Sequence, residues 1–226
     1  MIETTKQGII VMNKPSGITS HDVVNFIRRK FKMRRVGHAG TLDPMATGVL
    51  IILLGKSTKL FDTFAALGKA YRATLRLGLK TTTADIMGKV LEEKSFAGIS
   101  REQIEGVFGR FIGDIEQKPP MVSAVKHQGQ RLYALAREGK EVERTARKVR
   151  IEQLKLLRFD LPDAEFFLEC SKRTYVRQLA EDVGDILCCG ACICQIERTK
   201  VGQFDIAQSV TLEEVNESHI RPFYFK

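Results

Sequence analysis

The sequence has no hydrophobic run long enough to cross a membrane. Its longest apolar stretch, Val49–Leu54, is far shorter than the roughly 20 residues that a membrane helix needs. The first residues, MIETTKQGIIVM, have neither the charged start nor the long apolar middle of a secretory signal peptide. We therefore expect a cytoplasmic protein that does not interact with membranes.

Cysteine is scarce, and its number is odd. The five cysteines are Cys170, Cys188, Cys189, Cys192 and Cys194. They form no disulfide framework for a chain of 226 residues, and one CxxC pair without a second pair or a nearby histidine is a weak metal signal. The segment ACICQIE is typical of a buried strand in which cysteine is a small apolar residue. We expect no metal, and keep a metal-dependent protein built on these cysteines as an alternative.

Basic residues are in excess. The chain has 36 Lys and Arg against 27 Asp and Glu, a formal charge of +9, while 43% of its residues are hydrophobic. That hydrophobic content is enough for a folded core, which favours an enzyme or a binding domain over a disordered tail. The positive charge suggests an acidic partner, with nucleic acid as one candidate because Lys and Arg neutralise phosphates.

The pattern of apolar residues predicts an α+β fold with a central, largely antiparallel mixed sheet flanked by helices. Residues 8–12 and 70–78 have the character of strands, and Ser20 is placed to cap a helix that follows it. Predicted strands outnumber helices and are joined mostly by turns. Since no linker or repeat is evident, we expect one domain over residues 1–226, with its core at about 8–210.

Residues 36–48, VGHAGTLDPMATG, show neither a helical nor a strand period. A glycine-rich segment of this length beside the apolar run Val49–Leu54 is often functional. Within it, Asp43 precedes Pro44, which restricts the backbone of the aspartate to an extended conformation. A carboxylate held in this way can act as a nucleophile or general base, although Asp-Pro is also ordinary turn chemistry.

The surroundings of Asp43 exclude several kinds of catalytic site. The segment has no second carboxylate, no Ser/His/Asp set and no phosphate-binding GxxxxGK[ST] loop. Directly before it, RRKFKMRR (28–35) contains six basic residues in eight. Such a run is usually a solvated face, but here it could also bring the backbone of a polyanion to Asp43.

Six ordered segments resemble the motifs of the TruB family of tRNA pseudouridine synthases. They are KPSGITSHDVV, RRVGHAGTLDPMATGVL, AYRATLRLG, PPMVSAVKHQGQRLYALAREG, CSKRTYVRQLAEDVG and IERTKVGQF. The resemblance covers about residues 8–210 and implies the pseudouridine synthase fold. It also implies a cofactor-independent isomerase that converts uridine-55 in the T-arm loop of tRNA to pseudouridine, by breaking the N1–C1′ bond and making a C5–C1′ bond.

The resemblance assigns the chemistry to three residues. Asp43 is similar to the nucleophilic aspartate of the family, and Arg177 to the arginine that pairs with it. Tyr71 matches the aromatic residue that stacks on the flipped uracil and helps to remove the C5 proton. An aromatic face of this kind offsets lost base stacking by about 1–3 kcal/mol.

Other positions are implied to bind or support the substrate. His38, Tyr175 and Ile196 are similar to residues that surround the target nucleotide. Lys14, Lys126 and Tyr133 fall in blocks that support the pocket. The basic residues expected to contact the RNA backbone are Arg28, Arg29, Arg34, Arg35, Lys172 and Arg173.

The sequence also departs from the family pattern. Arg173 and Cys188 stand where glycine is usual, and Glu197 stands where a basic residue is common. With Arg173 in place of glycine, either the turn before the following helix lacks its usual positive dihedral, or Arg173 adds a phosphate contact. The chain leaves no room after the last block for the C-terminal RNA-binding (PUA) domain that the family commonly has. We expect a monomer that needs no protein partner, and keep a noncatalytic tRNA-binding or RNA-folding protein of the same fold as an alternative.

Overall fold

The computed structural model describes residues 6–123, 125–140 and 142–223. The strands within these ranges are β1 Gly8–Lys14, β2 Val36–Ala39, β3 Thr47–Leu54, β4 Lys69–Leu77, β5 Leu79–Thr81, β6 Val90–Glu93, β7 Gly113–Gln117, β8 Lys126–His127, β9 Gln130–Arg131, β10 Arg147–Asp160, β11 Asp163–Cys170, β12 Ala191–Val201 and β13 Phe204–Asp205. The helices are α1 Ser20–Lys30, α2 Phe61–Ala65, α3 Arg101–Gly109, α4 Leu132–Arg137 and α5 Val176–Ile186. Short 3-10 helices cover Gly55–Leu60, Ile206–Gln208 and Glu217–His219.

The chain divides into two compact units, and the first comprises Met1–Tyr71 with Ile196–Lys226. In this unit β3 pairs antiparallel with β1 and with β2, and parallel with β12 through Thr47–Glu197 and Gly48–Arg198. Alternate residues of these strands point into one apolar core. Its buried residues are Ile9, Val11, Ala39, Val49, Ile51, Leu53, Leu60, Phe64, Val201 and Phe204. Strand β3 is therefore the centre of the first unit.

The second unit, Arg72–Gln195, contains the other part of the sheet. Its strand order is β12, β4, β11, β10 and β7, and β10 pairs antiparallel with both β11 and β7. Helix α3 packs on the buried face of these strands, where the rings of Phe108 and Phe166 meet edge to face at 5.7 Å. On the other face, Arg76 binds both carboxylate oxygens of Asp163 at 2.8 Å. The α+β fold with a mixed, mostly antiparallel sheet is thus confirmed.

Two local predictions need correction. The sequence predicts an irregular segment at 36–48, but its first residues form β2, which pairs with β3 and is buried at its two ends, Val36 and Ala39. The cap of α1 is Thr19 rather than Ser20: Thr19 and Asp22 satisfy each other's backbone N–H groups in a capping box. Ser20 is the first residue of the helix, and its hydroxyl forms hydrogen bonds with the backbone of Leu42. Among the described residues, no helix is long and apolar enough to cross a membrane.

Candidate active site

Asp43 lies in the loop between β2 and β3, in the first unit. Its side chain is partly exposed, while its neighbour Leu42 is buried at 3% exposure. The carbonyl of Asp43 accepts a hydrogen bond from the N–H of Ala46 at 3.0 Å, which closes a tight turn over Pro44. The buried leucine anchors the loop, and the turn fixes the backbone of Asp43.

Lys14 holds the loop from the side of β1. This lysine is completely buried, and its Nζ donates to the carbonyls of Pro15 and Ile18 at 2.8 Å and of Pro44 at 3.1 Å. Burial lowers the pKa of Lys14 to about 8, although the nearby carboxylate of Asp43 acts in the opposite direction. Lys14 thus holds the loop at Pro44 and places a positive charge near Asp43. Its support of the substrate pocket stays a prediction.

Ser20 fixes the residue next to Asp43. Its Oγ accepts from the N–H of Leu42 at 2.9 Å and lies 3.1 Å from the carbonyl of the same residue, to which it donates. The hydroxyl replaces the strand partner that Leu42 lacks beyond the end of β2. Ser20, the first residue of α1, therefore links this helix to the loop that carries Asp43.

Arg198 is a buried residue beside the loop that sequence reasoning did not single out. It lies on β12 with 2% exposure, and it donates to the carbonyls of Val49 at 2.8 Å, Gly40 at 3.0 Å and Thr41 at 3.3 Å. The sequence carried no clear signal for it, because its neighbours Glu197, Thr199 and Lys200 are polar or charged. Only its burial on β12 shows an arginine that is removed from water. Such an arginine needs buried acceptors.

His38 precedes the loop on β2. Burial lowers its pKa to about 4, and the positive charges of Arg198 and His21 contribute to the shift. The side chain is therefore neutral at pH 7. Its Nδ1 atom is buried without a hydrogen-bond partner among the described residues. The resemblance implied a residue near the flipped base, and that role of His38 stays a prediction.

Tyr71 and Ile196 belong to the same unit as Asp43. Tyr71 is 7% exposed on β4, and Ile196 is 8% exposed on β12. Alternation along β4 had placed Tyr71 on the core side, and its burial agrees with that placement. Its role as a stacking surface for uracil stays a prediction.

Arg177 lies in the second unit, as the second residue of α5. It is 4% exposed, and its guanidinium donates to the carbonyls of Thr83 at 2.7 Å and Val122 at 2.9 Å. Its Nε is 3.7 Å from Oδ2 of Asp85. Pairing of Arg177 with Asp43 stays a prediction, and the structure adds Asp85 as an acidic neighbour of the arginine.

Asp85 was missed by sequence reasoning. It is 7% exposed, and its Oδ1 accepts from the hydroxyl of Thr83 at 2.7 Å and from the N–H of Met87 at 3.0 Å. The segment TTTADIMG contained a signal, because Thr and Asp together favour turns closed by side chains. Nothing in that local pattern pointed to a buried arginine about ninety residues away.

The turn that precedes α5 is tightly held. The side-chain amide of Gln117 accepts from the N–H of Tyr175 at 2.7 Å and donates to its carbonyl at 3.0 Å. Arg173 in this turn has a φ of +70°, in the left-handed region that favours glycine. Arg173 and Lys172 are both exposed. The expectation that the turn loses its positive dihedral at Arg173 is therefore wrong, because the arginine adopts that dihedral itself. Its phosphate contact stays a prediction.

The basic segment 28–35 is only partly available to a ligand. Arg29, Arg34 and Arg35 are exposed, and their side chains form no hydrogen bond or ion pair within the described part of the chain. Arg28 instead donates to the carbonyl of Val36 at 2.9 Å, and it is partly buried. Arg28 therefore fixes the backbone at the first residue of β2.

Some predicted positions cannot be placed in the site. The side chains of Lys126 and Tyr133 lie outside the described residues. None of the five cysteines forms a disulfide within the described part of the chain: Cys170, Cys189 and Cys192 are buried, Cys194 is partly buried and Cys188 is exposed. Burial raises the pKa of the Cys192 thiol to about 11. In the described ranges, no three His, Cys, Asp or Glu side chains are grouped as they would be around a metal ion.

Comparison with known proteins identifies this arrangement. The fold is similar to a chain of the solved Cbf5–Nop10–Gar1 complex, with a TM-score of 0.74 at 28% identity over 93% of this chain and 54% of that one. It is also similar to a chain of an H/ACA ribonucleoprotein bound to a substrate RNA containing 2′-deoxyuridine, with a TM-score of 0.69 at 25% identity. This chain spans about half the length of each. The fold and the aspartate loop define a pseudouridine synthase.

Sequence comparison narrows this class. The model of the TruB family pseudouridylate synthase N-terminal domain matches residues 28–176, and that of the tRNA pseudouridylate synthase B C-terminal domain matches residues 177–221. The chain belongs to the TruB family. It is 49% identical to tRNA pseudouridine synthase B of Clostridium tetani, over 96% of this chain and 75% of the relative. It is 43% identical to the protein of the same name from Opitutus terrae, over 95% and 90% of the two chains.

Proposed function

We propose that this protein is a tRNA pseudouridine synthase that isomerises uridine-55 in the T-arm loop, with Asp43 as the nucleophile. The two relatives named above are called tRNA pseudouridine synthase B, and they align with nearly the whole chain. The observation that carries the proposal is the geometry of the Asp43 loop. Lys14, Ser20 and Arg198 hold the backbone of this loop, in which Asp43 is partly exposed.

A fixed loop matters because the reaction needs a precise attack on a flipped nucleotide. Holding a nucleophile in place removes much of the entropic cost of reaching the transition state, since the loop is ordered before the substrate arrives. The base must leave its stack to enter the pocket, and Tyr71 is proposed to stack on it. Arg177 and Asp85 form a second fixed group in the other unit, for which we propose a supporting role in catalysis.

The proposed reaction is balanced without a cofactor. The N1–C1′ bond breaks, the uracil turns, and a C5–C1′ bond forms. C5 loses a proton, with help from Tyr71, and N1 gains one, so that the product is an isomer of the substrate. Asp43 acts in one of three ways: attack on C6 of uracil, attack on C1′, or removal of a sugar proton to give a glycal.

The RNA backbone is proposed to lie on exposed cations. Arg29, Arg34 and Arg35 are the available side chains in the first unit, and Lys172 and Arg173 are those in the second. Each phosphate that they neutralise releases counterions, so the affinity for tRNA should fall steeply as salt rises. An affinity that is independent of ionic strength would contradict this part of the proposal.

The experiment is to treat an unmodified tRNA transcript with purified protein and map pseudouridine by carbodiimide-dependent primer stops. We expect one stop at position 55 with the wild type and none with Asp43→Asn, while tRNA binding survives. Asp62→Asn is the matched control, because Asp62 is an exposed aspartate of the same unit on α2. Full activity of Asp43→Asn would remove the assignment of the nucleophile. Binding by the wild type without product would favour the noncatalytic alternative.

The monomeric state, the single-domain organisation and the cytoplasmic location stay predictions. Sedimentation of the protein alone and with tRNA tests the first of them. For the protein alone, a single species of the mass of one chain is expected.

A further inference from the structure

Arg198 is unusual because its charge is buried without a carboxylate. The residue is 2% exposed, and within the described part of the chain it forms no ion pair. Removing a guanidinium from water costs several kcal/mol. Hydrogen bonds to the carbonyls of Gly40, Thr41 and Val49 offset part of that cost. A side chain that contributed only packing would not need a charge here.

The three carbonyls lie at the two ends of the Asp43 loop. Gly40 and Thr41 come shortly before Asp43, and Val49 follows it on β3. The planar guanidinium therefore spans the loop from its entry to its exit. The backbone of Arg198 also packs closely against the exit of the loop at Gly48. A Cβ at Gly48 would lie only 2.3 Å from the carbonyl oxygen of Arg198.

We propose that Arg198 is a positioning residue for the reaction, whose guanidinium holds the two ends of the Asp43 loop at a fixed separation. This inference rests on the proposed function. It differs from the support given by Lys14, which binds the middle of the loop at Pro44. A lysine at position 198 would keep the charge but could not bind several carbonyls in one plane.

The charge of Arg198 has a second, measurable effect. It contributes to the low pKa of His38, after burial and together with His21. Arg198→Lys keeps this charge, whereas Arg198→Gln removes it. The pKa of His38, followed by NMR of its Cε1–H signal, therefore reports the charge at position 198 separately from the geometry of the loop.

The test compares kcat and KM for pseudouridine formation on a tRNA transcript in the wild type, Arg198→Lys and Arg198→Gln. A displaced nucleophile lowers the rate after binding, so we expect Arg198→Lys to lower kcat on the order of 10- to 100-fold, with KM within about 3-fold of the wild type. The pKa of His38 should stay low in Arg198→Lys and rise in Arg198→Gln. Arg76→Lys is the matched control. The guanidinium of Arg76 also donates more than one hydrogen bond, but both go to Asp163 on the outer face of the second unit.

The possible outcomes separate this inference from the proposed function. If the wild type forms no pseudouridine, the proposed function fails. If the wild type is active and Arg198→Lys keeps its kcat, with a loss of stability like that of Arg76→Lys, the positioning role is refuted. If neither variant at position 198 folds at temperatures where Arg76→Lys does, Arg198 is needed for folding, and the positioning role is likewise refuted.

Discussion

Replacement of Arg173 by glycine should stabilise the protein and weaken its binding to tRNA. Arg173 has a φ of +70° and is exposed in the turn before α5. The left-handed conformation costs an L-residue about 1–2 kcal/mol, and glycine avoids this cost. Glycine also loses more backbone entropy on folding, by about 0.5–1 kcal/mol. The net gain is about 0.5–1 kcal/mol, or about 1–4 °C in Tm for a chain of this size.

The same change removes one cation from the proposed RNA surface. If Arg173 neutralises one phosphate, its loss should reduce the slope of log K against log salt by about 0.7–0.9. The assays are thermal unfolding followed by circular dichroism, and filter binding of a tRNA transcript at several salt concentrations. The two readouts should move in opposite directions, and a general effect on folding would not produce that result.

Cys188→Gly is the matched control for the backbone effect. Cys188 is also exposed with a positive φ, +60°, at the end of α5, but it carries no positive charge. It should gain similar stability and leave the salt dependence unchanged. An Arg173→Gly variant that gains stability without any loss of tRNA affinity would refute the phosphate contact. One that loses stability would refute the assignment of strain.

Three further predictions concern the interior. Asp85→Ala removes the carboxylate that lies beside the buried guanidinium of Arg177. The free energy of unfolding in urea should therefore fall by about 3–5 kcal/mol, and a loss below about 1 kcal/mol would contradict the pairing. The pKa of His38, about 4 when folded against an ordinary 6.5, means that the unfolded chain binds more protons between these values. Stability should therefore fall by about 3 kcal/mol as pH drops from 7 to 4, and His38→Gln should lack this component in the same urea titrations. Gly48→Ala should lower Tm much more than Gly98→Ala, because both have a positive φ but only Gly48 has no space for a Cβ; equal losses would show that strain alone decides.

The sequence pattern predicted the parts of the fold that rest on local rules. The strand character of residues 8–12 and 70–78 is a local signal, and β1 and β4 form where it indicated. The strand β2 was missed because only four residues take part, and its burial depends on β3 rather than on its own sequence. Tertiary pairing decides such short strands.

The candidate site shows the same division. Asp43 and its loop were found from residues that stand together in the sequence. Arg198 and Asp85 were not, because each acts on groups far away along the chain: Arg198 on Gly40 and Asp85 on Arg177. Spacing along one chain carries no record of such contacts.

The anchors of the Asp43 loop bind main-chain atoms, which has a consequence for evolution and design. Lys14 binds the carbonyl of Pro44, and Arg198 binds those of Gly40 and Thr41. A carbonyl is the same in every residue, so these contacts do not depend on which side chain the loop presents. Thr41 is exposed and should accept many substitutions in a saturation library, whereas the two distant cations should accept few. Tolerance to mutation would then be lower at Lys14 and Arg198, far from the aspartate in sequence, than at Thr41, two residues away from it.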